Sequence, residues 1–494
     1  MHIPQNTPFV IETNMLSVAL KLVHAEYEVK EDIANFIKDT NHVEHILGKA
    51  NKSGINFLRV YTFGQLSKPD SNYIAMAFPL MNPKRFEKFI NHMLPPEKLH
   101  LQEDIRKFIK INDKTVIGWD HEVVMLYHSL DSLSGNEAIV ALDSILVIDP
   151  KNSLFVNNEN FRNADKLWAE AMLWLNMEEF TKIKPVEQLL QSNPFTKYKK
   201  FDENYFSGIC KFNKGEITLE TQYHIPKDQY KKNKDIFKGF INEETVYDAP
   251  VENPLAVLAT GFEATALPQM IAEMQLMEKV EKACSFANTT PDELFQMFNG
   301  DMVLLLKDVR ANLKIPDENN LTPKKRRYDY AIGVGIGNQE ILDKIFKLFI
   351  ESGLLKKEGD GYIFFDELFL IEKGHTLYFT NSEELHNDFK NGALFKDLTM
   401  TKLSQENSLL LYLNHLLPDK MQRIGENTEA NKTADLWWNI ASQIPMSTAD
   451  IVMEDFDKNV LKGEMILSMK DKEANTLLVI YHLLKNVAID ILKK

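Results

Sequence analysis

Trp119-Asp120-His121-Glu122 sets a carboxylate on either side of an imidazole, which is the raw material of general acid and base catalysis. The stretch 253 residues further on, Glu372-Lys373-Gly374-His375, has a glycine where the first has its histidine. Consecutive residues near a strand end point to alternating faces, so both tetrads read as hairpin turns rather than convergent sites. Gly333-Val334-Gly335-Ile336-Gly337 stands between a strand and a helix, where a dinucleotide loop would stand, but its spacing is G-x-G-x-G rather than G-x-G-x-x-G. The corresponding Ile74-Ala75-Met76-Ala77-Phe78 has no glycine. Small residues that make room for a packed helix or an aromatic ring are the expectation there. His42 and His45 lie three apart on a helical stretch and could share a face, as metal ligands do, yet further ligands are missing nearby, which leaves surface histidines. Trp437-Trp438 could offer an aromatic platform to a sugar or a partner, but neighbours on a helix point apart, one inward and one to the rim.

Cys210 and Cys284 exclude a disulfide framework and read as free, buried thiols. Lys324-Lys325-Arg326-Arg327 is the one dense basic run; in a polar loop it reads as solvated surface rather than a localisation signal or phosphate patch. Sequons at Asn51, Asn288, Asn320 and Asn431 matter only if the chain meets a glycosylation system. No G-x-S-x-G, H-E-x-x-H, P-loop or C-x-x-C motif is present in the sequence. The reading assigns no catalytic residues, no metal ligands and no cofactor, and leaves binding residues unassigned.

The elements that would position such residues are written twice. Pro8 to Asn14 is echoed by Pro254 to Thr260 and Gly54 to Val60 by Gly300 to Leu306, both at a shift of 246. Thr115 to Leu126 lies over Leu368 to Phe379 at 253, Met172 to Asn176 over Leu410 to Asn414, and Lys214-Gly215 over Lys462-Gly463 at 248. Short apolar strands open each copy. Helices with wide apolar stripes, Phe86, Phe89, Ile90 and Met93 in one and Ile341, Ile345, Phe346 and Phe349 in the other, follow the middle strands. Thr290-Pro291-Asp292-Glu293 has the cap, the proline and the early acids of a helix start. Each unit is expected to close with a hairpin turning at Lys214-Gly215 or Lys462-Gly463. The fold expected is α+β: two tandem, similar repeats, 1–249 and 250–494, each a largely antiparallel sheet with helices packed on it.

Composition agrees with two cores. A chain of 494 residues exceeds what one core holds, and 44 % hydrophobic with 26 % charged residues is ordinary for globular domains. The net charge of −14, spread along both halves, argues against nucleic acid or an anionic membrane surface as partner. No run of 18 apolar residues exists, so no membrane-spanning segment is expected. The start Met1-His2-Ile3-Pro4 has no positive and apolar regions of a secretion signal and nearly abuts the first strand, as a processed chain would.

Ile3 to Asn14, Lys52 to Phe57 and the Gly118-Trp119-Asp120 hairpin together resemble an uncharacterised family of Bacteroidota envelope proteins built on a large domain of unknown function. The resemblance implies an exported or lipid-anchored protein of the periplasm or outer membrane. The function expected is that of a non-enzymatic envelope protein that binds or scaffolds an envelope protein, glycan or other ligand. The alternative is a hydrolase with a dispersed acid and base site, with Asp120, His121 and Glu122 its first candidates.

Overall fold

The computed structural model describes residues 2–15, 17–18, 21, 53–56, 58–68, 71–93, 99–100, 106–131, 135–167, 169–192, 201–233, 236, 238, 240–247, 249, 251, 254–273, 275–286, 288–311, 326–359, 361–364, 368–392, 407–414, 446–452 and 459–479. Two compact units emerge. Met1–Ile225 and Asn475–Tyr481 form the first, and Pro226–Ala474 forms the body of the second, whereas the repeat spacing would divide the chain after residue 249.

Unit 1 contains β1 (Phe9–Asn14), β2 (Arg59–Gln65), β3 (Tyr73–Pro79), β4 (Leu99–His100), β5 (Lys107–Lys110), β6 (Thr115–Trp119), β7 (Val123–Ser129), β8 (Ala171–Asn176), β9 (Tyr205–Asn213) and β10 (Glu216–His224). Pairing is antiparallel throughout, in the order β4-β5-β6-β7-β3-β2-β1-β8-β9-β10. Unit 2 contains β11 (Ala256–Gly261), β12 (Phe298–Ala311), β13 (Arg326–Ile336), β14 (Leu355–Glu358), β15 (Gly361–Phe364), β16 (Leu368–Lys373), β17 (Thr376–Thr380), β18 (Leu409–Asn414), β19 (Met446–Val452) and β20 (Val460–Ser468). Its antiparallel order is β14-β15-β16-β17-β13-β12-β11-β18-β19-β20. The protein is thus α+β, with two large antiparallel sheets and helices packed on them.

Strand alternation sets the cores. In β1, Val10, Glu12 and Asn14 are buried while Phe9, Ile11 and Thr13 are more exposed, the period of two that a pleated strand imposes. Helix α1 (Pro83–Met93) buries Phe86 and Ile90 against Ile109, Trp119 and Val124, with the Phe86 and Trp119 rings edge-on at 5.2 Å. Helix α2 (Gly135–Leu146) buries Ala138 and Leu142 in the cluster that holds Phe108, Val116, Met125 and Trp174. A Cβ on Gly118 would stand 2.7 Å from Leu142 Cδ2, so the strand must be bare where this helix crosses it. Helix α3 (Glu159–Asp165), capped by the Asn158 side chain, sets Phe161 edge-on to Trp174 at 5.6 Å.

In unit 2, helix α4 (Glu243–Tyr247) offers the Thr245 carbonyl to the Tyr378 hydroxyl at 3.2 Å. Helices α5 (Met277–Phe286) and α6 (Pro291–Gln296) precede β12. Helix α6 starts on the capping box that the sequence spells: Thr290 Oγ1 accepts from Glu293 N, and Glu293 Oε2 accepts from Thr290 N, both at 3.2 Å. Helix α7 (Gln339–Glu351) buries Leu342, Ile345 and Phe346, and α8 (Glu383–Lys390) buries Leu385 and His386.

Two expectations change. Lys214-Gly215 is the β9–β10 turn, with Gly215 at φ +72°, but Lys462 and Gly463 lie inside β20, paired with Val452 and Ile451. A longer connection, between Val452 and Val460, makes that reversal, so the second Lys-Gly pair has no turn to form. Arg326 and Arg327 extend β13, paired with Ala311 and Arg310, instead of lying in a loop.

Candidate functional site

The side chains that leave unit 2 incompletely filled come from a few regular patterns. On α7, Ile345, Phe346 and Phe349 share one stripe because three to four residues complete a helical turn. On β16 and β17, Leu368 and Leu370 and then Leu377 and Phe379 share a face because strands alternate, and Leu370 stands directly opposite Phe379. Phe364 of β15 tilts against Phe349 at 5.6 Å, and Tyr362 sits edge-on to Phe346 at 4.9 Å. These rings pack α7 against β15. Cys284 of α5, with Thr289, Leu294 and Met297 in and around α6, closes the remaining side.

The result is a cavity of about 190 Å³ whose lining is apolar apart from the Cys284 thiol and the Thr289 hydroxyl. Its deep residues, Met297, Ile345, Phe346, Leu370 and Leu377, are buried. Phe349, Phe364, Leu368 and Phe379 are half-buried, which opens it to the surface. An apolar cavity of roughly 150 Å³ lined by Leu, Ile and Phe stays dry and binds benzene, so this one is large enough for a small hydrocarbon group.

Its polar edge is committed elsewhere. Thr289 Oγ1 donates to Glu293 Oε2 at 2.7 Å, and Lys344 Nζ donates to both Glu293 oxygens at 3.2 and 3.3 Å. The Thr289 hydroxyl and then Lys344 hold the Glu293 carboxyl below the usual carboxylate range. Burial pushes the Cys284 thiol up, and the charges of Glu281 and Glu293 add to this, so it is not an activated nucleophile.

The residues whose chemistry is conspicuous in the sequence do not form a site. Asp120 is buried and accepts from the backbone N–H of Glu122 and Val123 at 2.7 and 2.9 Å, with His2 Nε2 at 3.0 Å from its other oxygen. These bonds and His2 hold its carboxyl low against the opposing effect of burial, the largest single influence on it. His121 and Glu122 stand in solvent, 71 % and 57 % exposed, 3.6 Å apart. The tetrad is the β6–β7 turn and Asp120 its cap. Gly333 makes room for a ring, since a Cβ there would stand 2.6 Å from Tyr378 Cε1. Cys210 is half-buried in β9, its thiol pushed up to about 11 by burial first. Asn288 lies in an exposed turn at φ +46°. His42, His45, Lys324, Lys325, Trp437, Trp438, Asn51, Asn320 and Asn431 lie outside the described residues.

One carboxyl pair went unnoticed in the sequence. Glu12 of β1 stands opposite Tyr61 of β2, and Arg59, two residues along the same face, reaches Glu12 Oε1 at 3.2 Å and Asp165 Oδ2 at 3.3 Å. The Tyr61 hydroxyl donates to Asp165 Oδ1 at 2.8 Å. Burial and the nearby Asp165 raise Glu12 to about 7, more than Arg59 lowers it. The four groups satisfy one another within the core, which is a structural arrangement. Strand pairing brings Glu12, Arg59 and Tyr61 together and the end of α3 adds Asp165, so no spacing in the sequence could have flagged it.

No family model matches the chain, and no curated protein matches it. Among solved structures, crystal form IV of TP0453 is 10 % identical over 48 % of this chain and 86 % of that one, with a TM-score of 0.24. Crystal form I of TP0453 is 8 % identical over 79 % of this chain and 98 % of that one, with a TM-score of 0.19. Likeness at this level carries no argument about fold or function.

Proposed function

We propose that this is a non-enzymatic binding protein built from two tandem copies of one ten-stranded unit, and that its second copy holds an apolar ligand in the cavity beneath α7. The cavity carries the reading: a hydrocarbon group there removes apolar surface from water at roughly 25 cal/mol per Å² and displaces nothing that was well packed. Supporting the duplication, the nine pairings among the ten strands of unit 2 follow the same sequence of partners as those of unit 1. The envelope setting rests only on the resemblance of segments 3–14, 52–57 and 118–120. For the hydrolase reading, His121 and Glu122 turn to solvent, and Asp120 meets only His2 while its other oxygen caps the turn.

Displacement of bound Nile red by 1-octanol tests the proposal. Leu294→Trp fills the cavity with a ring, and should abolish dye binding while changing unfolding free energy by no more than about 1 kcal/mol, because overpacking is costly only where no space exists. Unchanged dye binding by a folded Leu294→Trp protein would remove the cavity as the binding site.

A further inference from the structure

We infer that the cavity selects an uncharged ligand, a hydrocarbon chain or ring that carries a hydroxyl or no polar group, and refuses the same chain as an ionised acid. The inference rests on the binding reading above and adds to it the chemical class of the occupant.

Three observations converge on it. The lining holds no charged side chain, so an anion drawn inside would have no partner there. Burying an unpaired carboxylate costs several kcal/mol, more than a short chain gains by burial. Lys344, linked to the lining Thr289 only through Glu293, is already held by both oxygens of that carboxylate. Finally, the Thr289 hydroxyl donates its one hydrogen bond to Glu293, which leaves its oxygen lone pairs to accept. An alcohol brings a proton to that oxygen, whereas a carboxylate brings only lone pairs. Glu281 and Glu293, whose charges already act on Cys284, would also repel it.

The test compares displacement of Nile red from the full chain by 1-octanol and by octanoate at pH 8, where octanoate is ionised. Octanol is expected to displace the dye at a concentration at least tenfold lower. Octanoate as effective as octanol would overturn the inference while leaving the binding proposal standing. Failure of both to displace the dye would overturn the two together. Glu293→Gln separates cause from coincidence, since glutamine still completes a capping box but carries no charge. In that variant octanoate should gain at least threefold on octanol, and a gap of unchanged size would overturn the role given to the Glu293 side.

Discussion

At the centre of its sheet unit 1 carries charge where unit 2 carries hydrocarbon. Following the strand pairings, Glu12 and Tyr61 face each other in unit 1 where Ala259 and Val303 face each other in unit 2. Unit 2 buries a carboxyl further along its central strands, Asp301, which Lys238 pairs at 3.2 Å, and an imidazole on a helix that packs on the sheet. His386 of α8 is 2 % exposed and stacks on Phe369 at 4.7 Å, with neither ring nitrogen hydrogen-bonded among the described residues. Burial lowers its affinity for a proton, Lys390 adds to this, and Glu358 and Glu383 oppose it.

The difference predicts opposite responses to acid. Glu12, raised to about 7, holds its proton more tightly folded than unfolded, so its contribution is full below the ordinary glutamate value and is lost as the pH rises toward 7. His386 holds its proton less tightly folded than unfolded, so its contribution is full above the ordinary histidine value, near 6.5, and is lost as the pH falls below it. As the pH falls, Glu12 therefore adds stability and His386 loses it; burial makes His224 of unit 1 act in the sense of His386 and Asp301 of unit 2 in the sense of Glu12. Asp120 and Glu170, both held low, subtract from unit 1 only at more acid pH.

The largest test of the contrast is Trp174→Ala. Trp174 is fully buried between Phe161 and Tyr205, and its loss should cost about 4 kcal/mol in urea unfolding and deprotect the amides of unit 1 in hydrogen exchange. Equal deprotection of unit 2 would mean that the two cores are not separate. Next comes Gly333→Ala. The matching residue of unit 1 is Ala77, which faces Met125, whereas Gly333 faces the Tyr378 ring. A loss of about 2 kcal/mol is expected, partly recovered by adding Tyr378→Met. Glu12→Gln should raise the stability of unit 1 by about 1 to 2 kcal/mol at pH 8 and flatten its response between pH 8 and 5, as read by exchange in β1 and β2. His386→Phe should flatten the acid loss in α8 and β16. If neither slope changes, other groups set the acid response. Smallest is Thr290→Ala, which removes half of a capping box and should cost about 1 kcal/mol in urea unfolding.

What the sequence discloses depends on how far a pattern can slide unnoticed. At the shift of 253, Gly118 falls on Ile371 and Met125 on Tyr378, and the sheets pair Gly118 with Met125 and Ile371 with Tyr378. A hairpin with its own turn residues cannot slip. The shift of 246 sets Val60 on Leu306, yet Val60 pairs with Thr13 and Leu306 with Ala256, a register that sets Val60 with Met302. An even displacement leaves the inward and outward alternation of a strand intact, so an apolar run aligns with itself at several offsets. The cavity was illegible for a different reason. Ile345, Phe346 and Phe349 read as core, and they are core, but an unfilled volume is a property of how stripes from separate elements meet. Asp120 shows the converse, since its neighbours in sequence promised chemistry that strand geometry disperses.

The first unit is discontinuous along the chain. Asn475 bridges to Lys214 and donates through its side chain to the Lys21 carbonyl at 3.2 Å, and the fully buried Thr476 donates to the Asn213 carbonyl at 2.7 Å. A ribosome that has finished Ile225 must therefore make all of Pro226–Ala474 before it delivers the piece that closes the first unit. At about 5 to 20 residues per second that is an interval on the order of tens of seconds. During synthesis the Lys214-Gly215 turn and its neighbours wait with an uncovered edge, and the half that is begun first stays open until nearly all of the other has been made.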